Sequence, residues 1–96
     1  MEKYEILIGK INRRGQGEYL EEYSFNTLEE AGQKFIDVVN YEKENVVFKI
    51  LKRNEHVEIL LQASTYGENN KLLDFDIIDV VSIKRATRKQ RKQLLF

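Results

Sequence analysis

One stretch of helical periodicity, set among segments whose apolar residues recur at every second position, decides what this chain can fold into. Leu28, Ala31, Phe35, Val38 and Val39 fall on the 3.6-residue period and make one apolar stripe, about three turns long. A stripe of that kind is stable only against a broad apolar surface, and the segments on either side supply it as strands. The expected fold class is therefore α+β, an antiparallel sheet with one amphipathic helix packed on one face.

The strands follow from alternation. Residues 3–12 place Tyr4, Ile6 and Ile8 on one side and Leu7 and Ile11 on the other. RRGQG (13–17) supplies two glycines for a turn, giving a hairpin with a basic tip at Arg13 and Arg14, and 19–25 returns with Tyr19, Tyr23 and Phe25 on one face. Asn26 or Thr27 caps the helix, with Glu29 or Glu30 three residues on in the capping-box spacing. The helix is expected to end near Tyr41 to Glu44, and Gly32 beside the stripe suits a close approach to the sheet. The β-rich runs 45–53 and 56–65 read as a second hairpin closed at Asn54 and Glu55. After a turn at 66–70, residues 72–83 sort best as a strand, with Phe75, Ile77, Val81 and Ile83 on one face and Asp79 intruding. The expected order is ββαβββ, with four to five strands.

With 96 residues the chain has room for one core. It contains no cysteine, which excludes disulfides, thiolate metal sites and cysteine nucleophiles. No apolar run approaches a membrane span, and MEKYEILIGK has no basic start followed by an apolar middle, so a cytoplasmic location is expected. The formal net charge of zero hides an opposition. Residues 1–83 hold all sixteen acids and ten of the sixteen bases, net −6, and residues 84–96 hold six bases and no acid. This divides the chain into a single α+β domain, 1–83, and a basic tail, 84–96, which is a short helix or a loose arm.

The tail carries the strongest functional signal. Lys84, Arg85, Arg88, Lys89, Arg91 and Lys92 suit phosphate contact with release of counterions, and no aromatic is interleaved for base stacking. The bland alternative is that they solvate the terminus or latch onto the acidic body. Arg13 and Arg14 form a second basic point that would join the tail in a bipartite phosphate contact, or else simply keep a turn soluble. Leu94, Leu95 and Phe96 call for an apolar contact, on the chain's own sheet or on a partner. Gly15-Gln16-Gly17 is no dinucleotide fingerprint, because no third glycine and no helix follow. Tyr19, Tyr23 and Phe25 read as the floor under the helix in preference to a single-strand-binding platform.

Catalytic and cofactor chemistry is not expected. Asp74, Asp76 and Asp79 lack the spacing of a calcium loop and read as carboxylates that discourage edge pairing. Asp79, if it faces the core, needs a partner such as a tail arginine. His56 is the only histidine, so neither a multi-histidine metal site nor a nucleophilic triad can be assembled. The expectation is a small non-enzymatic module that acts by protein–protein contact, in type like the accessory proteins of phages and mobile elements. The alternative is a nucleic-acid-associated protein that grips phosphates through the tail. A homodimer is compatible with both.

Overall fold

The computed structural model describes residues 1–85; Arg88, Lys89, Arg91 and Lys92, expected to contact phosphate, and Leu94, Leu95 and Phe96, expected to make an apolar contact, lie outside the described residues. Four strands, β1 (Glu2–Ile11), β2 (Gly17–Phe25), β3 (His56–Tyr66) and β4 (Leu72–Lys84), form one sheet in the order β2-β1-β3-β4, with every neighbouring pair antiparallel. Helix α1 (Leu28–Asn45) crosses one face, so the element order is ββαββ and the fold is α+β. The molecule measures 51 × 29 × 18 Å, and its least dimension is that of two layers.

The hairpin turn between β1 and β2 is built by Asn12. Its Oδ1 accepts from the amides of Arg14 (2.9 Å) and Gln16 (3.0 Å), and Gly15 takes a φ of 78° that disfavours any side chain. Thr27 caps α1: its Oγ1 accepts from the Glu30 amide (3.2 Å) and its hydroxyl donates to Glu30 Oε1 (2.9 Å). Ala31, Phe35, Val38 and Val39 are buried against Ile6, Ile8, Val57, Ile59, Leu61 and Ile83, and this is the core. Leu28, at the helix start, stays exposed. Gly32 meets nothing within 4 Å, so close approach to the sheet does not explain it.

The segment 45–53 is not a strand. The helix runs on through Asn45 into a 3₁₀ turn, Val46–Phe48, and Val46 and Leu51 reach the core while Phe48 and Ile50 stand exposed. The reason is topological: β3, the expected hairpin partner, already has β1 on one side and β4 on the other, so the segment cannot pair with it. The turn near Asn54 survives, with Asn54 at φ 68° and the Lys52 amide donating to Glu55 Oε2 (2.7 Å).

Three register shifts interrupt the ladders, one of them at Leu73 near the start of β4, and the other two are β-bulges that change which face several residues occupy. Ile8 pairs with Glu21 and Gly9 with Tyr19, so Leu20 has no counterpart on β1; Leu61 pairs with Asp79 and Gln62 with Ile77, so Ile78 has none on β3. Paired residues share a face. Tyr23 and Phe25 therefore lie under the helix, whereas Tyr19 is carried to the opposite face. On β4, Val81, Ile83 and Asp79 are on the helix side, and Phe75 and Ile77 are on the other. Asp79 lies beyond the helix's cover, exposed, and its Oδ1 accepts from the Val80 amide at 2.8 Å, so Asp79 is not a buried charge in need of a tail arginine.

Candidate interaction surface

The face of the sheet opposite α1 has no second layer among the described residues. Its centre is a row of apolar side chains in register across three strands: Leu7 pairs with Leu60, and Leu60 with Val80. Tyr19 stands at one flank of this row, and Ile77 and Phe75 at the other. Tyr19 is 62% exposed, Ile77 53% and Phe75 50%, values more usual for charged side chains than for these. A shallow apolar hollow of about 210 Å³ lies at the Tyr19 end, between Leu7, Ile11, Gly17, Tyr19 and Leu60. An antiparallel sheet that simply faced water would be polar here.

Beside the row lies a polar network that fixes the face. Glu5 is 4% exposed although no layer among the described residues covers it, and both its oxygens accept from the Tyr66 hydroxyl (2.7 and 2.8 Å). Gln62 donates to the Ser64 hydroxyl (3.0 Å), and both of these side chains are buried. Burial pushes the Glu5 carboxyl up, but hydrogen bonding by Ser64, Tyr66 and Gln62 outweighs it and holds the group below its ordinary range. The Tyr66 phenol is pushed up, first by its hydrogen bond to Glu5 and then by burial.

The basic residues converge on one end of the sheet. Ile11 pairs with His56 and His56 with Lys84, so the turn bearing Arg13 and Arg14, the turn bearing Lys52 and Arg53, and the pair Lys84 and Arg85 share that end. All six cations are exposed. Lys84 and Arg85 line a cleft of about 320 Å³ with Asn54, Glu55 and His56, and His56 Nε2 lies 3.3 Å from Glu58 Oε2. Lys52 and Arg53 escape a reading of the sequence, because only the strand order brings them beside Arg13 and Arg14. The far end is acidic on balance, with Glu2, Glu29, Glu30, Glu68 and Asp74 against Lys3, Lys71 and the Met1 ammonium. The opposition of charge thus runs along the folded domain as well as between domain and tail.

A third feature is the cleft of about 400 Å³ between α1 and β2, lined by Ile8, Glu21, Tyr23, Lys34, Asp37, Val38, Tyr41 and Glu42. It is internally matched. Lys34 Nζ sits 4.8 Å over the Tyr23 ring, Tyr23 donates to Glu21 (2.9 Å), and the buried Glu42 has Lys49 Nζ at 3.5 Å, although nothing among the described residues donates a hydrogen bond to its Oε2. Among the described residues no three His, Asp or Glu side chains gather as a metal ion requires, and no helix is long and apolar enough to cross a membrane. No protein-family model matches the chain, and neither a curated protein nor a solved structure matches it.

Proposed function

We propose that this protein is a non-catalytic binding module that works in the cytoplasm by contact with another protein, through the uncovered face of its sheet. The observation that carries this reading is the in-register row Leu7–Leu60–Val80 with exposed Tyr19, Ile77 and Phe75 around it. Contiguous apolar surface rimmed by polar groups is what a docking partner desolvates, and large aromatic and aliphatic side chains at its centre act as anchors. The Glu5–Tyr66–Gln62–Ser64 network holds the strands beneath that surface, so little ordering is left to be done on binding. The partner presents an apolar patch of its own. The test is capture from lysate with the full chain and with a Leu7→Thr, Leu60→Thr variant, each with and without nuclease. A partner that survives nuclease and is lost with the variant supports the reading; a partner retained by the variant overturns it.

A second reading rests on the basic end. Arg13, Arg14, Lys52, Arg53, Lys84 and Arg85 meet where the tail departs, and a set of cations on one side of a domain is the electrostatic footprint of a polyanion. Here nucleic acid is held through phosphates. Neutralising Arg13, Arg14, Lys52 and Arg53 to Gln then weakens binding to a mixed-sequence DNA or RNA and reduces the dependence of binding on salt, by roughly one in slope for each phosphate contact removed. Equal binding by wild type and variant sinks this reading.

A further inference from the structure

Beside the apolar row, a trough crosses the uncovered face from β4 to β2. Its floor is one line of paired residues: Ser82 on β4, Glu58 on β3, Gly9 on β1 and Tyr19 on β2. Ser82 and Gly9 keep that line low, while Val80, Leu60 and Leu7 form the inner wall and Lys84, His56 and Ile11 the outer one. Toward β2 the trough ends in the hollow of about 210 Å³ between Leu7, Ile11, Tyr19 and Leu60. Toward β4 it opens at Ser82, just before that strand finishes at Lys84.

Residues 86–96 leave the sheet at this mouth. On the helix side the place is filled, because Val46 and Leu51, from the connection between α1 and β3, are buried in the same core as Ile83. The other side is open among the described residues. From Arg85 to Leu94 the chain spans about 14 Å as a helix and about 30 Å extended, and the three strand spacings from β4 to β2 come to about 14 Å. Either form reaches the hollow. Order matches as well as length: along the segment Arg88, Lys89, Arg91 and Lys92 precede Leu94, Leu95 and Phe96, and along the trough Glu58 precedes the hollow. Arg13 and Arg14 stand beyond the outer wall and oppose the incoming cations, so the apolar residues carry the contact.

We propose that residues 86–96 lie along this trough and seat Leu94, Leu95 and Phe96 in the hollow, so that the chain covers part of its own apolar row. A partner that docks on the row first displaces the segment, and its apparent affinity is reduced to the fraction of chains in which the trough is open. That consequence rests on the protein contact proposed above; the seating itself does not.

The chain has no tryptophan, so Tyr19→Trp places a single reporter at the hollow. Tyr19 is 62% exposed with respect to residues 1–85, so shielding there has to come from outside them. In the full chain the indole emission is expected to be blue-shifted and protected from acrylamide, equally between about 1 and 200 μM, because the seating lies within one chain. Adding Leu94→Ser, Leu95→Ser and Phe96→Ser shifts the emission to the red and raises the quenching constant by roughly twofold or more. Leu94→Ser alone gives a smaller change in the same direction. Phe75→Trp, on the same face but far from the trough, is quenched equally with and without the three serines. Far-UV circular dichroism checks that each variant folds. An indole as open in the full chain as in the serine variant, or protection that develops only as concentration rises and so marks a second copy in the trough, would overturn the proposal. No partner takes part in this measurement, so its outcome is independent of the capture experiment. Where a partner is captured through Leu7 and Leu60, the three-serine variant binds it severalfold tighter, and equal binding overturns the displacement.

Discussion

The two faces of this sheet are built from the same kinds of residue and end in opposite conditions. On one, Ile6, Ile8, Val57, Ile59 and Leu61 close against a capped helix and are all under 5% exposed. On the other, Leu7, Leu60, Val80, Ile77 and Phe75 are as apolar, yet no layer closes over them among the described residues. Composition therefore does not say which face is core; helix placement and bulges do. One helix covers one face. The two bulges then send Tyr19, Ile77 and Phe75 to the side the helix does not reach.

Adjacent residues on β3 put the comparison to its hardest test. Ile59 points to the helix with no exposure, and Leu60 points the other way, half-buried. Ile59→Ala is expected to cost about 3 kcal/mol by urea unfolding, through lost burial and the cavity left behind. Leu60→Ala is expected to cost about 1 kcal/mol. Equal losses would break the distinction between the faces.

The Glu5 network bears on the same contrast, since it locks a polar patch beside the apolar row of the uncovered face. Tyr66→Phe removes the donor to both Glu5 oxygens and is expected to cost roughly 1–2 kcal/mol at neutral pH, measured by the same unfolding titration. The pH dependence has a definite sign. A carboxyl held lower in the folded than in the unfolded chain adds stability that is fully present above the unfolded value, near pH 4.3 for a glutamate in general, and lost as pH falls through the folded value. Glu5→Gln should therefore flatten that part of the acid limb. The Tyr66 phenol, pushed up, acts in the opposite direction: its contribution is present below the ordinary tyrosine range, near 10, and lost as pH rises through the folded value.

On the covered side, Thr27→Ala should cost about 1 kcal/mol through the lost cap, read as a lower melting temperature. Phe75→Ser, on the uncovered side, is expected to change stability by no more than about 0.5 kcal/mol. A large loss there would mean that Phe75 supports the fold and is not free for contact.

The helix, its Thr27 cap, the first hairpin with its turn at 13–17 and the turn at 66–70 were all legible, because each has a local chemical cause: stripe, capping oxygen, glycine, asparagine. Tyr19 and the pair Phe75 and Ile77 were assigned to the wrong face because alternation presumes an unbroken ladder. Leu20 and Ile78, the residues at the bulges, carry no glycine or other mark that betrays a break in parity. The segment 46–51 has the composition of a strand, but both sides of its expected partner β3 are taken by β1 and β4, which is a property of the whole sheet. The same holds for the basic end. Arg13 and Arg14 stand out in the sequence, yet Lys52 and Arg53 become their neighbours only through the order β2-β1-β3-β4.

The measurement closest to the central claim is capture by the full chain under nuclease, comparing wild type with two variants: Leu7→Thr with Leu60→Thr on the uncovered face, and Arg13→Gln, Arg14→Gln, Lys52→Gln with Arg53→Gln at the basic end. Capture of one protein partner by wild type and by the basic-end variant, with loss in the face variant while its circular dichroism stays native, is the predicted result. A folded face variant that still captures the partner, or capture abolished by nuclease, would contradict the assignment of function to the uncovered face.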